Sequence, residues 1–386
     1  MSYVALLSIF MSVEIKKLVP TRKELRRFVD FGISLYSGNS CYVPPLRIDE
    51  IQTLLPEKNP AFDFCRAQAF MAYRDGKPAG KIVAIVNDVA NGRSGKKQAR
   101  FGFVDFIDDA EVVDELFSAA ENWAREQGMT EIIGPMGFTD MDHEGMLVDG
   151  FDEMGTMATI YNYPYYPRHM ERMGYTKDAD WIEFRVEVPD KVPEKYARIA
   201  EIVKKKYNLR VLKYTSRKKI KDEYGRELFK LINEAYDKLY GYCPLSERQI
   251  DYYISQYLDF LRLDCVSVIV DGEDKLVGVG ISMPSLSQGL RKANGRLFPF
   301  GWYHILKSIK GKSDVVDLML IAVAKEYQNK GVNAMIFADL LPIYIKSGFK
   351  FAESNIELET NENVQQQWQY FNYRQHRRRR AWKKQL

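Results

Sequence analysis

The residues best placed to do chemistry in this chain are Gln328-Asn329-Lys330-Gly331-Val332-Asn333-Ala334. An apolar run of β character, Val315 to Val323, leads into them, and a helix-compatible run, Met335 to Ile345, leads out. A strand that enters a one-glycine turn and then a helix aims several backbone N–H groups and the positive helix end at one point, which suits a pyrophosphate. The turn is not a nucleoside-triphosphate loop, because no Gly-Lys-Ser/Thr follows, and two of the three glycines of a dinucleotide fingerprint are missing. An ordinary strand–turn–helix connection has the same outline. Further on, Glu353-Ser354-Asn355-Ile356-Glu357-Leu358-Glu359 carries three carboxylates at period-two spacing, so a continuous strand would present them on one face. Carboxylates so placed can act as a general base; a solvated strand edge with alternating charge has the same pattern.

Composition narrows the field. A chain of 386 residues with globular apolar and charged fractions is expected to form two domains, each with its own core. The formal net charge of +4 is too small to imply a nucleic-acid binder. Cys41, Cys65, Cys243 and Cys265 lie far apart with no CxxC or Cys/His cluster, so they read as reduced thiols of a cytoplasmic protein, and no metal is expected. The apolar opening, Tyr3 to Phe10, is far shorter than the roughly 20 residues that span a bilayer. It is read as an upstream-start artefact, with a weak surface anchor as the alternative.

Both halves run through similar elements. A strand near Val13–Leu18 precedes a helix from Thr21 to Tyr36, with Thr21 as N-cap and Glu24 three residues on. Two strands meet at Asp75-Gly76, a hairpin signal. A third, Phe101–Ile107, leads to an amphipathic helix from Ala110 to Gln127, and Trp181–Val188 closes the half. After the Pro189–Pro193 linker come helical periods, a second hairpin at Asp271-Gly272, the strand and turn described first, a strand Phe349–Leu358, a helix Glu362–Tyr370 and a basic closing strand.

This order resembles that of the GNAT acyltransferases, and the segment Gln328 to Ala334 resembles their acyl-CoA signature Gln-x-x-Gly-x-Ala, with Asn333 standing before Ala334. Further segments are similar to a two-domain branch of that superfamily, among them Tyr42-Val43-Pro44-Pro45-Leu46-Arg47, Gly134-Pro135-Met136, Leu147-Val148-Asp149-Gly150-Phe151-Asp152, Tyr163-Pro164-Tyr165-Tyr166-Pro167 and Gly301-Trp302-Tyr303-His304. The branch is also loosely similar to bacterial enzymes that N-acylate sphingoid bases. The resemblance implies an α/β fold of two tandem GNAT-like domains, each a mixed, mostly antiparallel sheet flanked by helices. The division falls at 1–189, a degenerate domain on the acceptor side, and 194–386, the domain with the acyl-CoA turn. It implies that backbone N–H groups near Ala322 and Val323 polarise a thioester carbonyl. Those of Gln328, Lys330, Gly331, Val332, Asn333 and Ala334 would hold the pyrophosphate of acyl-CoA or acetyl-CoA, with Lys330 adding charge. Glu353, Glu359 and Asn361 fall on matching positions and become the candidate catalytic residues. One departure stands out: the tyrosine that protonates the leaving thiolate in many of these enzymes is replaced by Trp368, and Tyr370 would face elsewhere on a helix.

The corresponding turn of the first half, Asp108-Asp109-Ala110-Glu111-Val112, has no glycine and three acids, which repel phosphate. The acidic loop 139–144 could meet a cationic amine, or be a solvated loop. The aromatic run 161–166 could line a groove, or be core. The tail Arg374 to Lys384 is read as the closing strand of the sheet, as the resemblance implies, with arginines guarding an exposed edge; the functional alternatives are contact with anionic lipid head groups, with CoA phosphates and, last, with nucleic acid. The expected activity is acyl-CoA-dependent N-acylation of a primary amine, such as a lipid-like sphingoid base, by a protein that is cytoplasmic or peripheral to an anionic membrane and has no nucleic-acid partner. Its rivals are a tRNA-dependent aminoacyl transferase of similar fold and a non-catalytic CoA-binding scaffold.

Overall fold

A computed structural model describes residues 13–386 except 312; the apolar opening lies outside the described residues. The strands are β1 (Val13–Lys17), β2 (Cys65–Arg74), β3 (Lys77–Asn87), β4 (Gln98–Phe106), β5 (Glu131–Gly134), β6 (Met146–Asp149), β7 (Thr176–Glu187), β8 (Arg210–Leu212), β9 (Val266–Val270), β10 (Leu276–Pro284), β11 (Val315–Val323), β12 (Phe351–Glu353), β13 (Glu357–Leu358) and β14 (Tyr373–Gln385). They join into one 14-stranded sheet in the order β1-β2-β3-β4-β5-β14-β7-β12-β11-β10-β9-β8, with β6 beside β14 and β13 beside β7. Among the described residues only the β4–β5 and β11–β12 pairs are parallel.

Helices cover both faces, and strand alternation sorts the apolar residues between them. Phe70, Ala72, Ile82 and Ala84 pack with Val112, Leu116 and Phe117 of the helix Ala110–Glu126, while Met71, Val83 and Ile85 pack with Leu25, Phe28 and Val29 of the helix Arg22–Leu35. The second half repeats the scheme. Ile269 and Val277 pack against the helices Glu194–Lys206 and Val332–Ser347; Val266, Val268, Val279 and Ile281 pack against Arg217–Tyr236 and Glu247–Tyr257. Local signals hold where they were clear. Thr21 accepts from the Glu24 N–H at 3.3 Å, and Asp75 and Gly76 take the positive φ angles, 54° and 73°, that suit a two-residue hairpin.

The tail departs from expectation. β14 is not an edge strand. It pairs antiparallel with β7 along its length and with β5 and β6 on its other side, so strands from the beginning, middle and end of the chain meet there. Its arginines are not a solvated guard. Arg377 and Arg379 have side chains 1% exposed and straddle the fully buried Glu183 of β7, with Nε–carboxylate distances of 2.9 and 2.5 Å. Arg378 and Arg380 point to the other face and bind Asp180 at 2.9 and 2.8 Å. A strand central to a sheet buries alternate residues whatever their type, and here the carboxylates of β7 neutralise what the alternation buries.

The expected strand 349–358 is broken after Glu353. The Ser354 hydroxyl accepts from the Phe184 N–H at 2.9 Å and donates to the Asn355 carbonyl at 2.8 Å, replacing ladder bonds with side-chain ones. The helix expected at 362–370 is likewise a short α-turn, Glu362–Gln365, followed by a 3₁₀ turn, Gln366–Tyr370.

Candidate active site

β11 and β12 pair only through Val315–Asp317 and Phe351–Glu353, and beyond that the two strands diverge into a wedge. On its other side β11 stays paired with β10 as far as Gly278 opposite Val323. Alternate carbonyls of β11 face the wedge and are taken by three separate elements. Asn355 Nδ2 donates to Met319 O at 3.0 Å, Tyr236 Oη to Ile321 O at 2.9 Å and Gln328 Nε2 to Val323 O at 3.2 Å. Because a strand residue sends its N–H and C=O to the same side, the N–H of Val323 also points into the wedge. The N–H of Ala322 is turned toward β10, in step with Ala324, which donates to Val277 O at 2.8 Å.

At the open end of β11 the chain makes the turn expected from its sequence. Asn329 and Gly331 take φ angles of 59° and 83°, and Gly331 begins the helix Val332–Ser347 with no side chain capping its first turn. A Cβ at Gly331 would lie 3.0 Å from both Ile199 and Val203 of the helix Glu194–Lys206, so glycine serves both the left-handed backbone and the close packing. Gly278 and Gly280 of β10 let the same helix approach the sheet; a Cβ at Gly278 would stand 3.1 Å from Val332. The ammonium groups of Lys206 and Lys330 lie over the Tyr207 ring at 5.1 and 5.2 Å from its centroid. An uncapped helix start with two lysines beside it fits an anionic pyrophosphate. The first half is built otherwise: Asp109 caps its helix by accepting from the Glu111 and Val112 N–H groups at 3.0 and 3.2 Å, and Arg74 neutralises it.

The three carboxylates of 353–359 do not share one environment, because the break after Glu353 separates them. Glu353 sits at the wedge apex with His376 Nε2 at 2.8 Å, although off the hydrogen-bonding axis, Arg377 Nη2 at 3.2 Å and Arg185 Nη1 at 3.4 Å. Its ladder partner Asp317 is buried, with neither oxygen in hydrogen-bonding geometry. Burial pushes the Asp317 carboxyl up to about 7, against the pull of the Ser285 hydroxyl. Glu357 accepts from Trp368 Nε1 at 3.0 Å, and burial pushes it up to about 8. Glu359 is bound by Lys177 and, at 2.8 Å, by Arg378, which hold its carboxyl below the usual range. Asn361 works through its backbone, donating to Leu358 O at 2.9 Å and accepting from Val364 N at 3.1 Å.

No family model matches the chain. In overall fold it matches a tandem GNAT protein from the clavulanic acid biosynthesis pathway, in a structure without AcCoA, with a TM-score of 0.56 at 13% identity, covering 97% of this chain and 98% of that one. This is a tandem GNAT fold. In sequence the chain is 27% identical over 373 residues to protein YghO of Escherichia coli strain K12, covering 95% of this chain and 94% of that protein. It is 29% identical over 324 residues to the bacterial ceramide synthase of Caulobacter vibrioides, covering 82% of each.

Within the tandem GNAT fold the wedge opens toward the C-terminal end of β11, and the uncapped turn follows that same end. Asp317 and Tyr236 join the wedge without having been singled out, while Glu357, one of the three carboxylates of 353–359, stands on β13 beside β7 and is held by Trp368. Asp317 lies inside an apolar strand run, and an acid in such a run was the available signal. Between the halves, the loop 139–144 is ordered by its own carboxylates. Asp142 Oδ2 accepts from the Phe138 and Thr139 N–H groups at 2.8 and 3.2 Å, and Asp140 Oδ2 from the Cys243 N–H at 2.9 Å. Burial, and then the Asp140 carboxylate, push the buried Glu144 well above the usual range. The aromatic run 161–166 is largely core: Tyr161 and Tyr166 are buried, and Tyr36 bridges Asp105 and Tyr166 at 2.7 and 2.8 Å. Among the described residues no group of three or more His, Cys, Asp or Glu is placed to hold a metal ion, and all four cysteines are unpaired.

Proposed function

We propose that this protein is an acyl-CoA-dependent N-acyltransferase whose acceptor is a primary amine of lipid-like, sphingoid type. The observation that carries the reading is the wedge between β11 and β12 ending at the uncapped, left-handed turn at Gly331. The likeness to a bacterial ceramide synthase supports both the N-acyl transfer and the acceptor class. When bound, acyl-CoA supplies the activated acyl group. The amides of Asn329, Gly331, Val332 and Asn333, with the ammonium groups of Lys330 and Lys206, hold its phosphates, whereas the N–H groups of Gln328, Lys330 and Ala334 already donate to the carbonyls of Ala324, Tyr327 and Gly331; the Val323 N–H polarises the thioester carbonyl. An ammonium must lose a proton before its nitrogen can form the new C–N bond. Asp317, beside Glu353 at the wedge apex and with its carboxyl near 7, accepts that proton. As the C–S bond breaks, the thiolate needs a proton in return. Glu357, protonated at neutral pH and held by Trp368 where related enzymes carry a tyrosine, supplies it and takes up the second proton that the nitrogen sheds as the amide forms. The first half, with its helix start already capped by Asp109, forms the acceptor side. The unpaired cysteines suit a cytoplasmic protein.

The test is the thermal stability of the purified protein with CoA, acetyl-CoA and palmitoyl-CoA, together with a Lys330→Glu variant. Lys330 is exposed, so the substitution spares the fold. A ligand that binds only the native state stabilises it by about 2.7 kcal/mol at a hundredfold excess over Kd. A shift in the wild type that shrinks in Lys330→Glu, followed by acyl transfer to a long-chain amine, is the expected result. No shift with any thioester would refute the reading.

A further inference from the structure

The second half carries an apolar surface that the wedge does not use. Among the described residues, five of the large hydrophobic side chains left exposed fall between 298 and 306: Phe298 at 77%, Phe300 at 71%, Trp302, Tyr303 and Leu306. They lie on the tip and outer face of a helical hairpin formed by the helices Ser287–Ala293 and Gly301–Lys310. The hairpin is firmly seated. Leu286, Leu290, Ile305 and Ile309 pack on Val43, Met283, Met157 and Met319. The Gly295 carbonyl accepts from the Arg47 N–H at 3.0 Å, and Ser287 Oγ donates to Gly155 O at 3.0 Å. The second helix is therefore apolar on two sides. Ile305 and Ile309 face the body, while Trp302, Tyr303 and Leu306 face away from it.

Charge says what covers the outer face. From Ser285 to Ser313 the sequence holds no Asp or Glu, while the same hairpin carries Arg291 and the exposed Lys292, Arg296, Lys307 and Lys310 on either side of the aromatic residues in sequence. A protein partner would favour a patch poor in lysine. Aromatic residues at the apex with a rim of Lys and Arg are what a bilayer interface with anionic head groups selects. No helix among the described residues is long and apolar enough to cross a membrane, so the contact is with its surface.

We propose that the hairpin 287–310 docks the protein on an anionic bilayer, inserting Phe298, Phe300, Trp302, Tyr303 and Leu306 among the head groups while the hairpin's lysines and arginines meet lipid phosphates. The inner side of the hairpin touches Met319 of β11 and Met157, whose carbonyl lies 2.9 Å from His143 Nε2. Docking therefore brings the wedge side of the second half to the membrane, where a lipid-like amine would reside. That last link rests on the proposed function; the docking itself does not.

The test is flotation of the purified full chain with vesicles of phosphatidylcholine alone and of phosphatidylcholine with phosphatidylglycerol, without thioester or amine. The wild type floats with the anionic vesicles and releases at high salt. Phe298→Ser/Phe300→Ser, which removes exposed side chains only, lowers binding about tenfold or more while Tm is unchanged. Arg296→Glu/Lys307→Glu lowers it by a similar factor at low salt. A wild type that stays off anionic vesicles overturns the proposal, as does binding unaffected by both variants. A dimer that Phe298→Ser/Phe300→Ser turns into a monomer overturns it too, because a second copy then covers the patch. The assay contains no acyl donor, so its failure leaves the acyl-transfer reading untouched, and failure of that reading leaves docking intact.

Discussion

Replacing Glu183 by glutamine leaves the side-chain shape in place and removes one charge from the seam between β7 and β14. The size of the effect follows from the partners. Glu183 is fully buried, and Arg377 and Arg379 are each 1% exposed at their side chains. Arg377 keeps Glu353 at 3.2 Å, but among the described residues Arg379 has no second carboxylate and is left with the Ile160 carbonyl. Breaking a buried pair by removing one partner costs about 3–5 kcal/mol, against about 0–1 kcal/mol for an exposed pair. We expect a loss in the first range for Glu183→Gln, read by equilibrium urea unfolding from the fluorescence of Trp181 and Trp382, both buried beside the seam. The double replacement Glu183→Met/Arg379→Met is expected to recover most of it, since well-packed apolar residues substitute for buried ion pairs at little cost. The pH dependence has a fixed sign. Burial alone would raise the Glu183 carboxyl, but the two guanidiniums hold it below the usual range. Its contribution is therefore present above the ordinary carboxylate pKa and is lost as pH falls through the lowered one, so wild type and variant converge in acid. A loss under about 1 kcal/mol at neutral pH would refute the assignment, because it would mean that water reaches the pair.

Other perturbations probe the site. Gly331→Ala forces a side chain into the left-handed region and against Ile199 and Val203, and is expected to cost about 1–2 kcal/mol or more in stability along with weaker acyl-CoA binding, measured by thermal shift. Glu357→Gln keeps an acceptor for Trp368 but removes a titration. The wild-type carboxyl, raised to about 8, stabilises fully below the usual glutamate pKa and loses that contribution as pH rises through 8. The variant should show a flatter stability curve, with the slopes differing by at most about 1.4 kcal/mol per pH unit, and greater stability at alkaline pH. Asp317→Asn is expected to lower kcat about 10²-fold or more with little change in KM for the thioester, and to remove the acid limb of the kcat profile near 7. An unchanged limb would exclude Asp317 as the proton acceptor.

The sequence made local chemistry legible and long-range pairing illegible. The turn at 328–334 could be read because its meaning is local: a strand, a positive-φ glycine and a helix start. The same holds for Thr21 and for Asp75-Gly76. Glu183 and its arginines stand 194 and 196 residues apart, and nothing in a run of arginines says that every second one is buried against an acid. Solvation is the default reading of such a run, and only β14's central place in the sheet overrides it. Glu353, Glu357 and Glu359 misled for a related reason. Period-two spacing puts residues on one face only while the strand continues, and Ser354 ends it. The exposure of the aromatic hairpin was not legible, since sequence does not tell an apolar side chain facing water from one facing a core.

Because β14 follows in sequence every strand it joins, it is synthesised last. Until it exists, β5 and β7 present open edges to each other across a gap one strand wide, and Glu183 lies there without its cations. A nascent chain stopped short of Tyr373 pairs β7 with β12 and β13 but lacks the strand that joins β7 to β5. Unpaired edges of this kind recruit foreign strands. The order of synthesis therefore leaves the sheet open between β5 and β7 until β14 has been made.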